Sequence, residues 1–183
     1  MNDGVVGTFF QVITFNSTVT SLKLLKSTKV TNRLSQALSE KTSHSALDFA
    51  EGTNSGPLSS LKWCSNSISD EGANSLAQAL SVTTSLSSLN VRSNSIGDEE
   101  ANLLPQILRV NTSLSYLDLS DNSIGVEGVN SLAQALGVNT FLSSLDLDSN
   151  SIGDEGANSF PQTFRVNTSL SSLDLGSSSS STS

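Results

Sequence analysis

The 183 residues suffice for one domain, and the chain is poor in both apolar (36%) and charged (14%) side chains, with serine filling the gap. A net charge of −8 and a pI near 4.4 argue against non-specific nucleic-acid or anionic-membrane binding, both of which need a basic surface. The single cysteine, Cys64, rules out an intrachain disulfide and points to a reducing, cytoplasmic compartment.

Residues 1–15 hold a short apolar stretch (Phe9, Phe10, Val12, Ile13) broken by Gln11 and Thr14. With Asp3 and no basic n-region, it does not read as a signal peptide. No run approaches the roughly 18 apolar residues of a membrane span. Instead, residues 9–18 match residues 104–113 in apolar character, with Gln and Asn agreeing outright. Val19, Leu22 and Leu24 then read as a strand, and L-S-Q-A-L at 34–38 matches L-A-Q-A-L at 76–80. A degenerate strand is expected at His44, Leu47 and Phe49, followed by a turn-rich connector over 50–57. Residues 1–57 therefore read as worn, shortened copies of a repeat.

The full repeat runs from 58 to 176. The string L-S-S-L starts at Leu58, Leu86, Leu142 and Leu170, with L-S-Y-L at Leu114, so the period is 28 residues. In the first half of a unit, Leu117 and Leu119 alternate with Tyr116, Asp118 and Ser120, the period of a strand with one apolar face. In the second half, Val129, Leu132, Ala133 and Leu136 form one apolar stripe on a helix. Asp98 is expected as an N-cap. Neither apolar face can be buried alone, and stacking neighbouring units buries both.

The consensus L-x-x-L-x-L-x-x-N at this period resembles the ribonuclease-inhibitor-like class of leucine-rich repeats, also found in NOD-like receptors and Ran GTPase-activating proteins. The resemblance implies an α/β fold: a right-handed leucine-rich-repeat solenoid, or horseshoe, with parallel strands on the concave face and helices on the convex face. It also implies that Asn66, Asn94, Asn122 and Asn150 sit inside the turn after each strand and bond backbone groups of neighbouring units.

The units alternate in pairs: the second and fourth carry P-Q-x-[LF]-R-V-N-T-S at Pro105 and Pro161, where the first and third carry A-Q-A-L. A proline mid-helix removes a hydrogen bond and clashes with the preceding turn, so both helices should break before it. After Leu170, Leu173 and Leu175 comes Gly176 and a serine-rich tail, 177–183, expected to be disordered. No helix half follows the last strand, so the array reads as a fragment or as an end that pairs with something, including end-to-end self-association.

Chemistry is thinly represented. His44 and Cys64 are the only residues that could form a Cys–His pair, and the register puts His44 inward and Cys64 on the exposed strand face. Asp146, Asp148 and Asn150 begin like a calcium loop, but Ser151 and Ala157 replace its glycine and its bidentate glutamate. No phosphate loop or zinc spacing is present, and no metal or cofactor is expected. The sequons at Asn16, Asn111 and Asn167 read as by-products of the N-T-S step. Ran GTPase-activating relatives would imply regulation of a small GTPase, but Arg33 and Arg92 sit in no recognisable motif, so no catalytic residue is carried over.

The expectation is a protein-binding scaffold with no enzymatic activity. Its concave columns read Lys62, Asn90, Asp118, Asp146, Asp174 and Cys64, Arg92, Ser120, Asp148, Gly176, with Tyr116 the one aromatic. Lys62, Arg92, Tyr116, Asp118, Asp146, Asp148 and Asp174 are the candidate contact residues, suited to a basic protein surface. A GTPase regulator and a piece of a larger receptor-like protein are the alternatives.

Overall fold

The computed structural model describes residues 21–23, 59–65, 77, 80 and 85–176. Six three-residue strands follow the repeat: β1 Ser21–Lys23, β2 Ser60–Lys62, β3 Ser88–Asn90, β4 Tyr116–Asp118, β5 Ser144–Asp146 and β6 Ser172–Asp174. They form one parallel sheet in chain order, with serine or tyrosine, leucine and a polar residue each opposite their counterparts. The helix halves supply α1 Asp98–Ala101, α2 Leu104–Val110, α3 Val126–Leu136, α4 Gly153–Ala157 and α5 Phe160–Thr163. The result is an α/β solenoid of strand–helix units.

The leucine pattern explains the packing. Leu89, Leu117 and Leu145 at the strand centres and Leu119 and Leu147 just after them are at most 1% exposed. Val129, Leu132, Ala133 and Leu136 on α3 close over them, at most 3% exposed, so the helical stripe is buried as its spacing requires. Each such burial is worth about 2 kcal/mol. Trp63 takes a leucine position in the first full unit and is fully buried.

β1 falls where Val19, Leu22 and Leu24 placed it, with Leu22 opposite Leu61. However, β1 pairs directly with β2, so no strand lies between them in the sheet. The strand expected at His44, Leu47 and Phe49 lies outside the described residues.

The two prolines act as expected. The third unit has one continuous helix, α3, whereas the second is split into α1 and α2 and the fourth into α4 and α5. Pro105 and Pro161 each lie in the first turn of the second segment, where a missing N–H breaks no helical bond.

Asp98 is not the N-cap of its own helix. Gly97 holds that position, and its N–H donates to the Glu100 carboxylate at 2.8 Å. The Asp98 carboxylate reaches into the next unit, where Oδ1 accepts from Gly125 N–H at 2.7 Å and Gly128 N–H at 2.9 Å. Those are the N-cap and third residues of α3, so one unit caps the helix of the next. Val126 stands at the equivalent position one unit on and offers no such carboxylate.

Three ladders cross the units on their polar atoms. Asn94, Asn122 and Asn150 donate to carbonyls of their own turn and of the preceding unit, for example Asn122 Nδ2 to Leu119 O at 2.7 Å and Val91 O at 3.3 Å. Asn111, Asn139 and Asn167 reach back to Leu80, Leu108 and Leu136 O at 2.6–2.7 Å and accept from the backbone leading into the next strand. Ser87, Ser115, Ser143 and Ser171 each donate to the backbone oxygen of the serine one unit earlier, at 2.9–3.0 Å. The serine content of the chain therefore has a structural use.

Candidate binding face

The face of the sheet turned away from the helices carries the two polar columns and a third made of Ser60, Ser88, Tyr116, Ser144 and Ser172. The register brings Lys62, Asn90, Asp118, Asp146 and Asp174 side by side on successive strands, as the repeat predicted. Adjacent strands in a sheet are about 4.8 Å apart, so each neighbouring charge is felt.

The structure divides the candidates into structural and open groups. Asp118 is not an open site: it is 5% exposed, and Ser120 beside it is 2% exposed. Its Oδ1 accepts from Ser120 N–H at 3.0 Å and Ser120 Oγ at 2.6 Å, and its Oδ2 accepts from Asn90 Nδ2 at 2.5 Å and Tyr116 OH at 3.4 Å. Cys64 Sγ in turn donates to Asn90 Oδ1 at 2.9 Å. A polar chain thus runs across β2, β3 and β4 and holds Asp118 as an internal acceptor, because a buried carboxylate needs its lone pairs satisfied. Strand alternation alone marks Asp118 as outward; it cannot show that Tyr116 and Asn90 close over it.

Arg92 is exposed and is turned aside by the fold. Its Nε and Nη2 both donate to Asp121 Oδ2, at 2.8 and 2.5 Å, which holds the Asp121 carboxyl below the usual carboxylate range. Asp121 stands just before the turn asparagine, with φ 51°, where the equivalent residues Ser65, Ser93 and Ser149 are also left-handed. Lys62 is exposed two strands away.

Tyr116, Asp146, Asp148 and Asp174 remain as the open group. Tyr116, Asp146 and Asp148 are half-buried and Asp174 is exposed. Burial pushes the Tyr116 phenol up, with the nearby Asp118 and Asp146 charges adding to it. The Asp146 carboxyl is raised first by burial and then by the charges of Asp118, Asp174 and Asp148, against a bond that its Oδ1 accepts from Asp148 N–H at 3.0 Å. A carboxyl raised in the folded state favours folding most when it is protonated, and that advantage is lost as pH rises through its folded value. Asp146→Asn keeps the acceptor for Asp148 and removes the charge. It should raise the melting temperature slightly at pH 7 and leave it unchanged near pH 3, about where carboxylates titrate; equal shifts at both values would show that charge is not the cause.

Among the described residues, no group of three or more His, Cys, Asp or Glu side chains is arranged to hold a metal ion. His44 lies outside those residues. The described helices include none long and apolar enough to cross a membrane.

A family model described as "Leucine Rich repeat" matches residues 83–99, 110–133 and 138–160. The chain carries leucine-rich repeats. Two solved structures have a similar fold. The leiomodin-1 actin-binding site 2 is 18% identical, with a TM-score of 0.63 over 75% of this chain and 76% of that one. A tropomodulin C-terminal domain from Caenorhabditis elegans is 17% identical, with a TM-score of 0.63 over 80% of this chain and 84% of that one. At such identities the likeness is one of fold. No curated protein matches the chain.

What the repeat consensus did not disclose is the second asparagine ladder. Its signal was the recurrence of Asn111, Asn139 and Asn167 at one position of the leucine-rich repeat, hidden because Asn111 and Asn167 read as sequons. Asn111 is 3% exposed with its amide bonded on both sides, so a glycan there is incompatible with this fold.

Proposed function

We propose that this leucine-rich-repeat array is a protein-interaction module of the ribonuclease-inhibitor-like class, with no catalysis of its own, and that it takes a basic protein surface on the concave sheet face at Tyr116, Asp146, Asp148 and Asp174. The observation that carries the reading is the register that sets Asp118, Asp146 and Asp174 side by side on neighbouring strands, with Asp148 two residues beyond Asp146. A partner's lysine or arginine would complement that row of like charges, raising both encounter rate and selectivity. Tyr116 adds a rigid aromatic beside the row, the kind of side chain that anchors interfaces. The 28-residue period and the full helix α3 favour the ribonuclease-inhibitor-like assignment.

Actin is a rational first partner to test, because the leiomodin-1 segment with this fold is an actin-binding site. The decisive experiment is a pull-down with wild type against Tyr116→Ala combined with Asp146→Lys. Partners bound through this face should be lost from the variant, and those contacts should weaken with salt. Identical partner sets, with the variant folded by circular dichroism, would remove the concave face as the site.

A further inference from the structure

We infer that the flank of the solenoid where each helix ends and the chain turns toward the next strand is a second docking surface, and that it takes an acidic amphipathic helix of a partner protein. Five large apolar side chains are exposed among the described residues, and four of them gather on this flank. Val110, Val138 and Val166 hold one position in three successive units and are 58–64% exposed. Val110 and Val138 have a unit stacked on each side, so their exposure belongs to the repeat itself and not to its last unit. Phe141, three residues beyond Val138, adds an exposed aromatic. The row is held rigidly. The asparagine after each valine donates to a carbonyl of the unit before, Asn111 to Leu80 O, Asn139 to Leu108 O and Asn167 to Leu136 O, so little ordering remains to oppose binding. Beside Val166, where the short α5 faces α3, a groove of about 420 Å³ lined by Ala133, Gln134, Gly137, Gln162 and Thr163 has room for one large side chain of a partner.

The charge on this flank selects the occupant. The stretches 101–117, 128–145 and 156–173 contain no Asp or Glu, although the chain carries 17 of them. They do contain Arg109, in the last turn of α2, and Arg165, at the equivalent position two units on. Both are exposed, and the one ion pair among the described residues is Arg92 with Asp121, so neither guanidinium is neutralised that way. Gly137 stands at the same position in the unit between them and leaves a gap. An apolar stripe bordered by cations is complemented by an apolar stripe bordered by carboxylates. A helix fits better than a strand. The N–H groups of Ser113, Leu114, Phe141 and Leu142 donate to the asparagine side chain of their own unit at 2.8–3.0 Å, so they offer no open ladder to an extended chain. A helix satisfies its own backbone and presents apolar side chains at i, i+3, i+4 and i+7. An anionic bilayer is the poorer match, because clusters that hold one carry about four to eight basic residues and this chain has a net charge of −8.

Fluorescence anisotropy with the full 183-residue chain tests this. The probe is a labelled synthetic helix with leucine or phenylalanine at i, i+3, i+4 and i+7 and glutamates along the border of that stripe. It should bind, and added salt should weaken the binding. Val138→Glu should weaken it about tenfold, and so should Arg109→Glu combined with Arg165→Glu, since each sets like charge against the probe. All three side chains are exposed, so the variants should keep the fold, as circular dichroism would show. A probe with lysine in place of glutamate should bind the doubly reversed chain more tightly than wild type. Asp146→Lys, on the concave face, should leave the affinity for the glutamate probe unchanged, so this surface and the concave-face reading fail separately. No binding at millimolar probe overturns the inference, and so does equal binding of a probe of shuffled sequence, or binding that neither variant weakens. Sedimentation with phosphatidylserine vesicles that Val138→Glu abolishes, in a chain that ignores the probe, would overturn it in favour of a membrane surface.

Discussion

Asn122→Ala should lower the unfolding free energy by about 3 kcal/mol, the sum of two buried amides left without acceptors. Asn122 Oδ1 accepts from Asn94 N–H and from Ile96 N–H, both at 3.0 Å. Asn94 is fully buried and Ile96 is 6% exposed, so water cannot replace the lost acceptor. The donor side costs less. Leu119 O keeps a bond from Asn150 Nδ2 at 3.0 Å, and Val91 O keeps one from Asn94 Nδ2 at 2.7 Å. The damage is therefore concentrated at the junction of the second and third full units. Because units in such arrays are coupled mainly to their neighbours, amide exchange should speed up over residues 91–96 before it does over β5. Chemical denaturation measures the first effect and hydrogen exchange the second. A loss under 1 kcal/mol would mean that the turn relaxes to expose those amides, and the ladder would then be incidental to stability.

That row of asparagines was legible in the sequence, and so were the strand leucines, the stripe on α3 and the breaks at Pro105 and Pro161. Each depends on spacing alone, and period and burial are two views of one constraint in a stacked array. The features that escaped depend on contact between units. Asp98 looks like a local N-cap because local sequence offers no view of Gly125 and Gly128, which are placed beside it only by stacking. Asp118 looks exposed because alternation assigns a direction but not a neighbour. Its burial comes from Tyr116, the one large residue in a serine column, and from Asn90 across the strand. The same tyrosine that belongs to the proposed docking surface also closes part of that face. The acidic strip available to a partner is consequently shorter than the sequence suggests and lies over β5 and β6.

Gly128→Ala brings the inter-unit contact of Asp98 to a direct test, because local and global preferences oppose each other there. Gly128 lies in the first turn of α3, and glycine to alanine inside a helix normally gains about 1 kcal/mol. Here an added Cβ would lie 2.7 Å from Asp98 Oδ1, 2.9 Å from Ile124 Cγ2 and 3.0 Å from Ala101 Cβ. Two of those three atoms belong to the preceding unit, so relief requires the units to separate or Asp98 to withdraw. Withdrawal releases the N–H groups of Gly125 and Gly128 and forfeits a cap worth about 1 kcal/mol. Overpacking adds its own strain, and a net loss of about 2 kcal/mol is expected in place of the gain. Gly156, the same position one unit on, is the internal control. A Cβ there meets only Ile152 Cγ2 closely, at 2.7 Å, with the next atoms at 3.6 Å and no carboxylate in reach. Gly156→Ala should accordingly cost less. Asp98→Ala alone removes the cap, and combining it with Gly128→Ala should cost less than the sum of the two, because the cap can be lost only once. Strictly additive losses in that double-mutant cycle would show that Asp98 and Gly128 do not act on each other, and the capping of one unit by another would have to be given up.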